Sequence, residues 1–388
     1  MSDLVSALLN DMARTAAQPA FEHGFGQAGA RVILRADHPE VLRSAIDTLY
    51  AYHQRPATSG GWQITLHTSA TLNVDLAATA FTGAPIHNIG PDLTAHSLTW
   101  PHGRLFWVPA HATFLHVQET AARITVYCAD RSAGVHWAAR LVRQVMTAQL
   151  LAGGAVYAHG AAFIHQGIGV LVLGHKGAGK TTTLLTALGV LGADFVTNDR
   201  LLLRHHGTDI TGLAWPMHLR VSAETLLALP GRADLVPEVQ HAGPADGGQI
   251  RKKIAIEPPD LGRLLAGGIV TGTVRPDLVL CPYLSQADEP AERVPAEQMR
   301  TMLLSTRLYM HDPGTGASAH INHWLVTGST PDRTTAALRE VVYGLASVAP
   351  CYRLPVILDP AKLATRLAHL LARWPSSATT TTQPAGPQ

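Results

Sequence analysis

The spacing of apolar residues along the chain divides it into stretches of period two and stretches of helical period. Residues 31–35, 62–68, 104–108, 113–118 and 123–128 are short runs rich in β-branched and aromatic residues, separated by turn formers, and they predict strands. Residues 39–52, which Asp37 is placed to cap, and 135–151, with Leu141, Val145, Ala148 and Leu151 on one face, predict helices. Residues 1–20 read as a short amphipathic helix and a linker, and Gly153-Gly154 marks a boundary. Beyond it the order changes. A strand over 157–164, a turn at 165–167, an apolar strand over 169–173, a helical run over 181–191 and a strand over 193–197 follow one another, and 201–204 continues as a further strand. This order is the nucleus of an α/β layer. A buried strand is expected over 277–281, helices over 333–345 and 360–374, and an extended run over 351–354. Residues 230–248, rich in Pro, Gly, Ala and Asp, read as a mobile loop, and 375–388 are too polar to order themselves. The pattern therefore predicts a mixed α+β N-terminal domain over 1–152, an α/β domain over 153–374 and a disordered tail over 375–388.

The chemistry concentrates in one octapeptide. Residues 174–181 read Gly-His-Lys-Gly-Ala-Gly-Lys-Thr between the strand at 169–173 and the helix at 181–191, which is the G-x-x-x-x-G-K-[ST] phosphate cradle in its strand-to-helix setting. Backbone N–H groups of Gly174, Gly177, Ala178, Gly179, Lys180, Thr181 and Thr182, with the positive end of the helix, suit a triphosphate. Lys180 neutralises its β/γ oxygens, and the Thr181 hydroxyl suits Mg²⁺. His175 and Lys176 are expected to face solvent. The chain has only five lysines among its 30 basic residues, and four of them fall in this loop and in Arg251-Lys252-Lys253, so the second cluster is a candidate phosphate contact as well.

Composition narrows the classes of partner. With 388 residues, 46% apolar and 15% charged, the chain builds substantial cores. A net charge of +2 and the lack of basic runs argue against nucleic acid and anionic membranes. No apolar stretch is long enough to span a bilayer, and Asp3 and Asp11 stand where a secretion signal would be basic, so a cytoplasmic protein is expected. Cys128, Cys281 and Cys351 are odd in number and far apart, which suits a reducing compartment and buried thiols. His320 and His323 have a metal-like spacing but no third ligand in view.

Residues 159–203 resemble a known family. A His159-Gly160 pair upstream of the loop, a compact helix, and a strand ending in Asn198-Asp199 followed by Arg200 are similar to the HPr kinase/phosphorylase group, which is related in fold to phosphoenolpyruvate carboxykinase. The region onward to Leu354, with Val274-Arg275-Pro276-Asp277 and Cys351-Tyr352-Arg353-Leu354, resembles the wider HPr-kinase-like set more loosely; the N-terminal 150 residues do not resemble the bacterial regulator's own N-terminal domain. The resemblance implies an α/β, HPr-kinase-like P-loop core. It also implies an ATP- and Mg²⁺-dependent kinase acting on a hydroxyl of a small molecule or peptide, often in a biosynthetic pathway, with Thr181 and Asp199 toward the metal and His159, Lys180 and Asp199 at the chemistry.

This chain departs from the family at one position. Where the family carries two consecutive aspartates, Asn198 supplies an amide that cannot take a proton. Asp199 then does both jobs, or His159 takes the proton, or the protein binds nucleotide as a regulatory or scaffolding protein, or as an NTPase, without phosphorylating an acceptor. Arg200 reads equally as a structural ion pair and as a phosphate contact. Homo-oligomers are left open.

Overall fold

The computed structural model describes residues 2–49, 61–68, 72–90, 93–101, 103–215, 219–222, 225–226, 253–256, 268, 272–285, 287, 289–305, 325–326, 329–357 and 359–374. Two compact units make up the chain: Met1–Ala155 with Met310–Ala337, and Val156–Tyr309 with Leu338–Gln388. Residues 310–337, which the sequence pattern alone does not separate from the second domain, group with the first. Of these, Leu325 accepts at its carbonyl from Arg104 Nη2 at 2.9 Å.

The first unit opens with helix α1 (Ser2–Thr15), followed by β1 (Phe21–Gln27), β2 (Ala30–Ala36), α2 (Pro39–Leu49), β3 (Trp62–His67) and α3 (Val74–Ala80). Strands β4 (Ile86–Gly90), β5 (Leu93–Trp100), β6 (Gly103–Val108), β7 (Thr113–Gln118) and β8 (Arg123–Cys128) and helix α4 (Arg131–Ala152) complete it. The strands form one eight-stranded sheet in the order β1-β2-β3-β8-β7-β6-β5-β4, parallel across β2, β3 and β8 and antiparallel elsewhere. Alternation of side chains gives each face its own cover. Trp107, Phe114 and Tyr127 lie on one face, where Val5, Leu8 and Met12 of α1, Ala77 and Ala80 of α3 and its C-cap Phe81 bury them. Leu66 and Val126, paired across β3 and β8, lie on the other, under α4. Strands β1, β4 and β5 and helix α3 go beyond the sequence pattern.

The second unit contains β9 (Val156–Ala158), β10 (Gly160–His165), β11 (Ile168–Leu173), α5 (Lys180–Val190), β12 (Asp194–Thr197), β13 (Leu201–His206) and β14 (Asp209–Leu213). It continues with β15 (Leu219–Ser222), β16 (Lys253–Ile256), β17 (Thr273–Val274), β18 (Leu278–Leu284), β19 (Glu292–Val294), α6 (Ala296–Leu303), α7 (Pro331–Val348, from Leu338 onward), β20 (Cys351–Val356) and α8 (Pro360–Leu371). A six-stranded sheet runs β12-β10-β11-β18-β20-β19, a four-stranded sheet β17-β14-β13-β9, and β15 pairs with β16. The unbroken apolar run of β11, buried at every position, suits a central strand covered on both faces; it pairs antiparallel with β10 on one side and parallel with β18 on the other, and β18 in turn runs parallel to β20. Val170 and Val172, paired with Leu278 and Leu280, join Leu354 and Val356 in a core that Leu184 and Leu188 of α5 and Leu363 and Leu367 of α8 close. Asp277 locks the register at the foot of this layer, accepting from the Gly169 amide at 2.8 Å and donating its own amide to the Gly169 carbonyl at 2.7 Å.

The expected strand over 157–164 is two strands in two sheets. β9 pairs with β13 and β10 with β11 and β12, and the chain changes sheet at His159. Gly160 makes this possible, because a Cβ there would sit 2.6 Å from Leu173 Cδ2 and 3.1 Å from the Val172 carbonyl oxygen. The chain changes sheet a second time between β12 and β13, at residues 198–200. Among the described residues there are eight α-helices, none long and apolar enough to cross a membrane. The segments 230–248 and 375–388 and the pair His320 and His323 lie outside the described residues.

Candidate active site

The glycine-rich loop lies where open α/β sheets carry their ligands, at the carboxyl end of a parallel strand and ahead of a helix. Gly174 is buried beside Pro282, His175 and Lys176 are exposed as expected, and Gly177 and Gly179 have φ of +83° and +99°. Gly179 is the N-cap of α5 and has no side chain to satisfy the amides of the first helical turn. The amides of a first helical turn have no partner within the helix and suit an anion, and Thr181 and Thr182 are half-buried in this turn.

Lys180 is buried to 7% exposure, and its Nζ donates to the carbonyls of Gly174 at 2.8 Å and His175 at 2.9 Å. A buried ammonium must find acceptors. The loop's own carbonyls supply two, which fixes the charge inside the cradle.

Two ladders bring His159 and Asp199 together. β10 and β12 pair Ala162 with Thr197, and β9 and β13 pair Ala158 with Leu201, so extending either ladder sets Asp199 against Gly160, next to His159. His159 Nε2 lies 3.1 Å from Asp199 Oδ1. Asp199 adopts φ of +66°, a left-handed conformation that Asp tolerates better than most residues. Burial pushes its carboxyl pKa upward, but the hydrogen bond with His159 and the charges of His159, Arg200 and Lys180 outweigh it and lower the pKa from 3.8 to about 2. The carboxylate is therefore ionised across the physiological range. The same balance places Lys180, His159 and Arg200 around one acid.

The surrounding turn is held by its own backbone. Arg200 N donates to the Asn198 carbonyl at 2.7 Å, and Thr197 Oγ1 donates to the Arg200 carbonyl at 2.7 Å. Asn198 is buried at 4% exposure. Among the described residues Arg200 forms no ion pair; its guanidinium carbon stands 5.7 Å from the centre of the Tyr157 ring. Thr197, Tyr157, Pro282 and Val356 join the site only through tertiary structure, and nothing local in the sequence marks them. Of the Arg251 to Lys253 cluster, Arg251 and Lys252 lie outside the described residues and Lys253 opens β16. No group of three or more His, Cys, Asp or Glu among the described residues forms a metal cage.

A scan against protein-family models finds no match, and a search of curated proteins finds none either. Among solved structures, the chain is similar to the HPr(Ser) kinase/phosphatase of Coxiella burnetii, at 14% identity and a TM-score of 0.25, over 56% of this chain and 97% of that one. The likeness is a distant one and assigns no residue of this chain a role.

Proposed function

We propose that the protein is a phosphotransferase that binds ATP with Mg²⁺ in the loop at 174–181 and moves the γ-phosphoryl group to a hydroxyl of a small metabolite or a peptide serine. The observation that carries this reading is the convergence of the buried Lys180 ammonium and the His159–Asp199 pair at the carboxyl end of the β11 layer. The donors of the loop and the first turn of α5 suit the phosphates, and Lys180 absorbs charge on the transferring group. Thr181 and Asp199 offer a hydroxyl and one ionised carboxylate, an oxygen donor set that fits Mg²⁺, which takes few protein ligands and completes its shell with phosphate and water. When bound, the ion neutralises phosphate charge.

The acceptor's proton goes to His159 in this scheme. An ionised Asp199 Oδ1 accepts from Nε2–H, which assigns the tautomer and leaves the Nδ1 lone pair to take the hydroxyl proton as the oxygen attacks phosphorus and the bond to ADP breaks. Asp199 itself, with a pKa near 2, is a weak base and is better suited to orienting the ring and stabilising the imidazolium. A second reading, nucleotide binding without transfer, is favoured by Asn198, whose amide supplies no second carboxylate.

Mass spectrometry after incubation with ATP, Mg²⁺ and candidate hydroxyl acceptors separates the two. An added phosphate supports the kinase; ATP binding by calorimetry with no modified acceptor supports the second reading. Lys180→Ala is expected to abolish transfer with an unchanged circular dichroism spectrum, and undiminished turnover in that variant would refute the mechanism.

A further inference from the structure

Arg200 is the one charged group at the second sheet crossing whose position the scheme above leaves unexplained. Its Nε is buried and has no hydrogen-bond partner among the described residues. Its neighbour in sequence, Asp199, gives Oδ1 to His159 instead. A guanidinium carries five donors in a fixed fork, and a buried donor left unmade is unfavourable, so a folded protein that keeps one in this state needs a reason.

The surroundings supply one. The Tyr157 ring, 5.7 Å from the guanidinium carbon, holds the group through its π-face and consumes none of its donors. Below it, the backbone of residue 200 is locked at both ends, by its amide on the Asn198 carbonyl and by Thr197 Oγ1 on its own carbonyl. The residue is half-buried, so part of it reaches solvent, and its charge acts on the adjacent Asp199 carboxylate. Local charge is unbalanced as well: the two permanent cations Lys180 and Arg200 both act on the single carboxylate of Asp199. A rigidly mounted guanidinium with unused donors and excess positive charge matches the geometry that binds a planar or tetrahedral oxyanion through two parallel hydrogen bonds.

We propose that Arg200, backed by the Tyr157 ring, is a second anion-binding group of this site and holds a phosphate-type oxyanion beside the His159–Asp199 pair. The inference rests on the nucleotide-binding reading above. Two sources offer that chemistry: the γ-phosphoryl oxygens of the nucleotide, and an acidic group carried by the acceptor next to its hydroxyl.

The test is calorimetry on the full chain with three probes, ADP, the non-hydrolysable triphosphate AMP-PNP, and inorganic phosphate added to the ADP-loaded protein, comparing wild type with Arg200→Gln, Arg200→Lys and Tyr157→Leu. If the γ-phosphoryl group is the ligand, Arg200→Gln weakens AMP-PNP on the order of 10- to 100-fold and leaves ADP unchanged. If the acceptor's anion is the ligand, both nucleotides bind as before and the phosphate bound by the ADP complex is lost. Arg200→Lys keeps the charge without the fork and is expected to fall between wild type and Arg200→Gln, which guards against a folding defect in the Gln variant. Tyr157→Leu should weaken the same probe as Arg200→Gln does. Equal affinities for all three probes in wild type and Arg200→Gln overturn the assignment of Arg200 while nucleotide binding stands. A wild type that binds neither nucleotide overturns both.

Discussion

Gly179 combines two demands that can be separated by mutation. Its φ of +99° lies in the region where an L side chain is strained, and an added Cβ would come within 3.0 Å of Val356 Cγ1 and 3.1 Å of its Cβ and Cγ2. Gly179→Ala should then cost about 1–2 kcal/mol for the backbone conformation and about 1–3 kcal/mol for the overpacking against Val356. Val356→Ala alone removes two buried carbons at a fully buried site and should cost about 2 kcal/mol. In the double variant the contacts with Cγ1 and Cγ2 are gone while the Cβ at 3.1 Å stays, so most of the steric part is relieved and the backbone part stays. The double variant should therefore be more stable than the sum of the single variants implies, by about 1–2 kcal/mol. Urea denaturation of the four proteins measures this coupling. Because Gly179 caps α5, calorimetry should also show weaker nucleotide binding in Gly179→Ala, partly restored in the double variant. Additivity to within about 0.5 kcal/mol would refute the contact with Val356 as the reason for glycine at this position.

Two further outcomes follow from titrating groups. Asp199 has its pKa lowered from 3.8 to about 2, so the folded state gains from its ionisation above pH 3.8 and loses that gain as pH falls through about 2. With its side chain 47% exposed, solvent screening reduces the effect to under about 1 kcal/mol. Asp199→Asn should be less stable than wild type by that amount in denaturation at pH 5, with the gap closing toward pH 2, and a gap that widens on acidification would contradict the assignment. In the first unit, burial pushes the Cys128 thiol up to about 12, aided by the Asp130 and Asp37 charges and opposed only by the Thr113 hydroxyl. Iodoacetamide at pH 8 should therefore modify Cys128 only as fast as the unit unfolds, and rapid labelling under native conditions, read by mass, would overturn that placement.

How much of this was legible in the chain depends on how local each feature is. The loop at 174–181 and α5 were readable because the glycine spacing, the lysine and the flanking strand all lie within about 20 consecutive residues, and their geometry is imposed by neighbours in sequence. The second change of sheet was half visible, since the apolar run over 193–197 stops at Asn198. The first was not. The apolar run passes through His159 into Ala161, Ala162 and Phe163 without interruption, and only the choice of partners, β13 on one side and β11 with β12 on the other, divides it. Strand β1, with two glycines in seven residues, and β4, an edge strand with Ile86 63% exposed, lack the alternation that marks a half-buried strand. The stack of Arg200 on Tyr157 joins residues 43 apart and leaves no mark in either local pattern.

The same non-locality explains where the polar groups gather. Inside a sheet each side chain is flanked by cross-strand neighbours that fill the space beside it. A residue at which the chain leaves one sheet for another has neighbours from neither ladder, so it can keep a polar side chain and turn it toward a partner. Here two such residues lie side by side because β9–β10 and β13–β12 make the same change of sheet in opposite directions, and Gly160 lets the strands close up until an added Cβ would be 3.4 Å from Leu201. His159 meets Asp199 at this double crossing, Arg200 is held over Tyr157 one residue further on, and the loop carrying Lys180 starts at Gly174, one residue past the Leu173 that pairs with Gly160. The grouping follows from the sheet connections, and the same connections would bring together whatever side chains stood at positions 159, 174, 199 and 200.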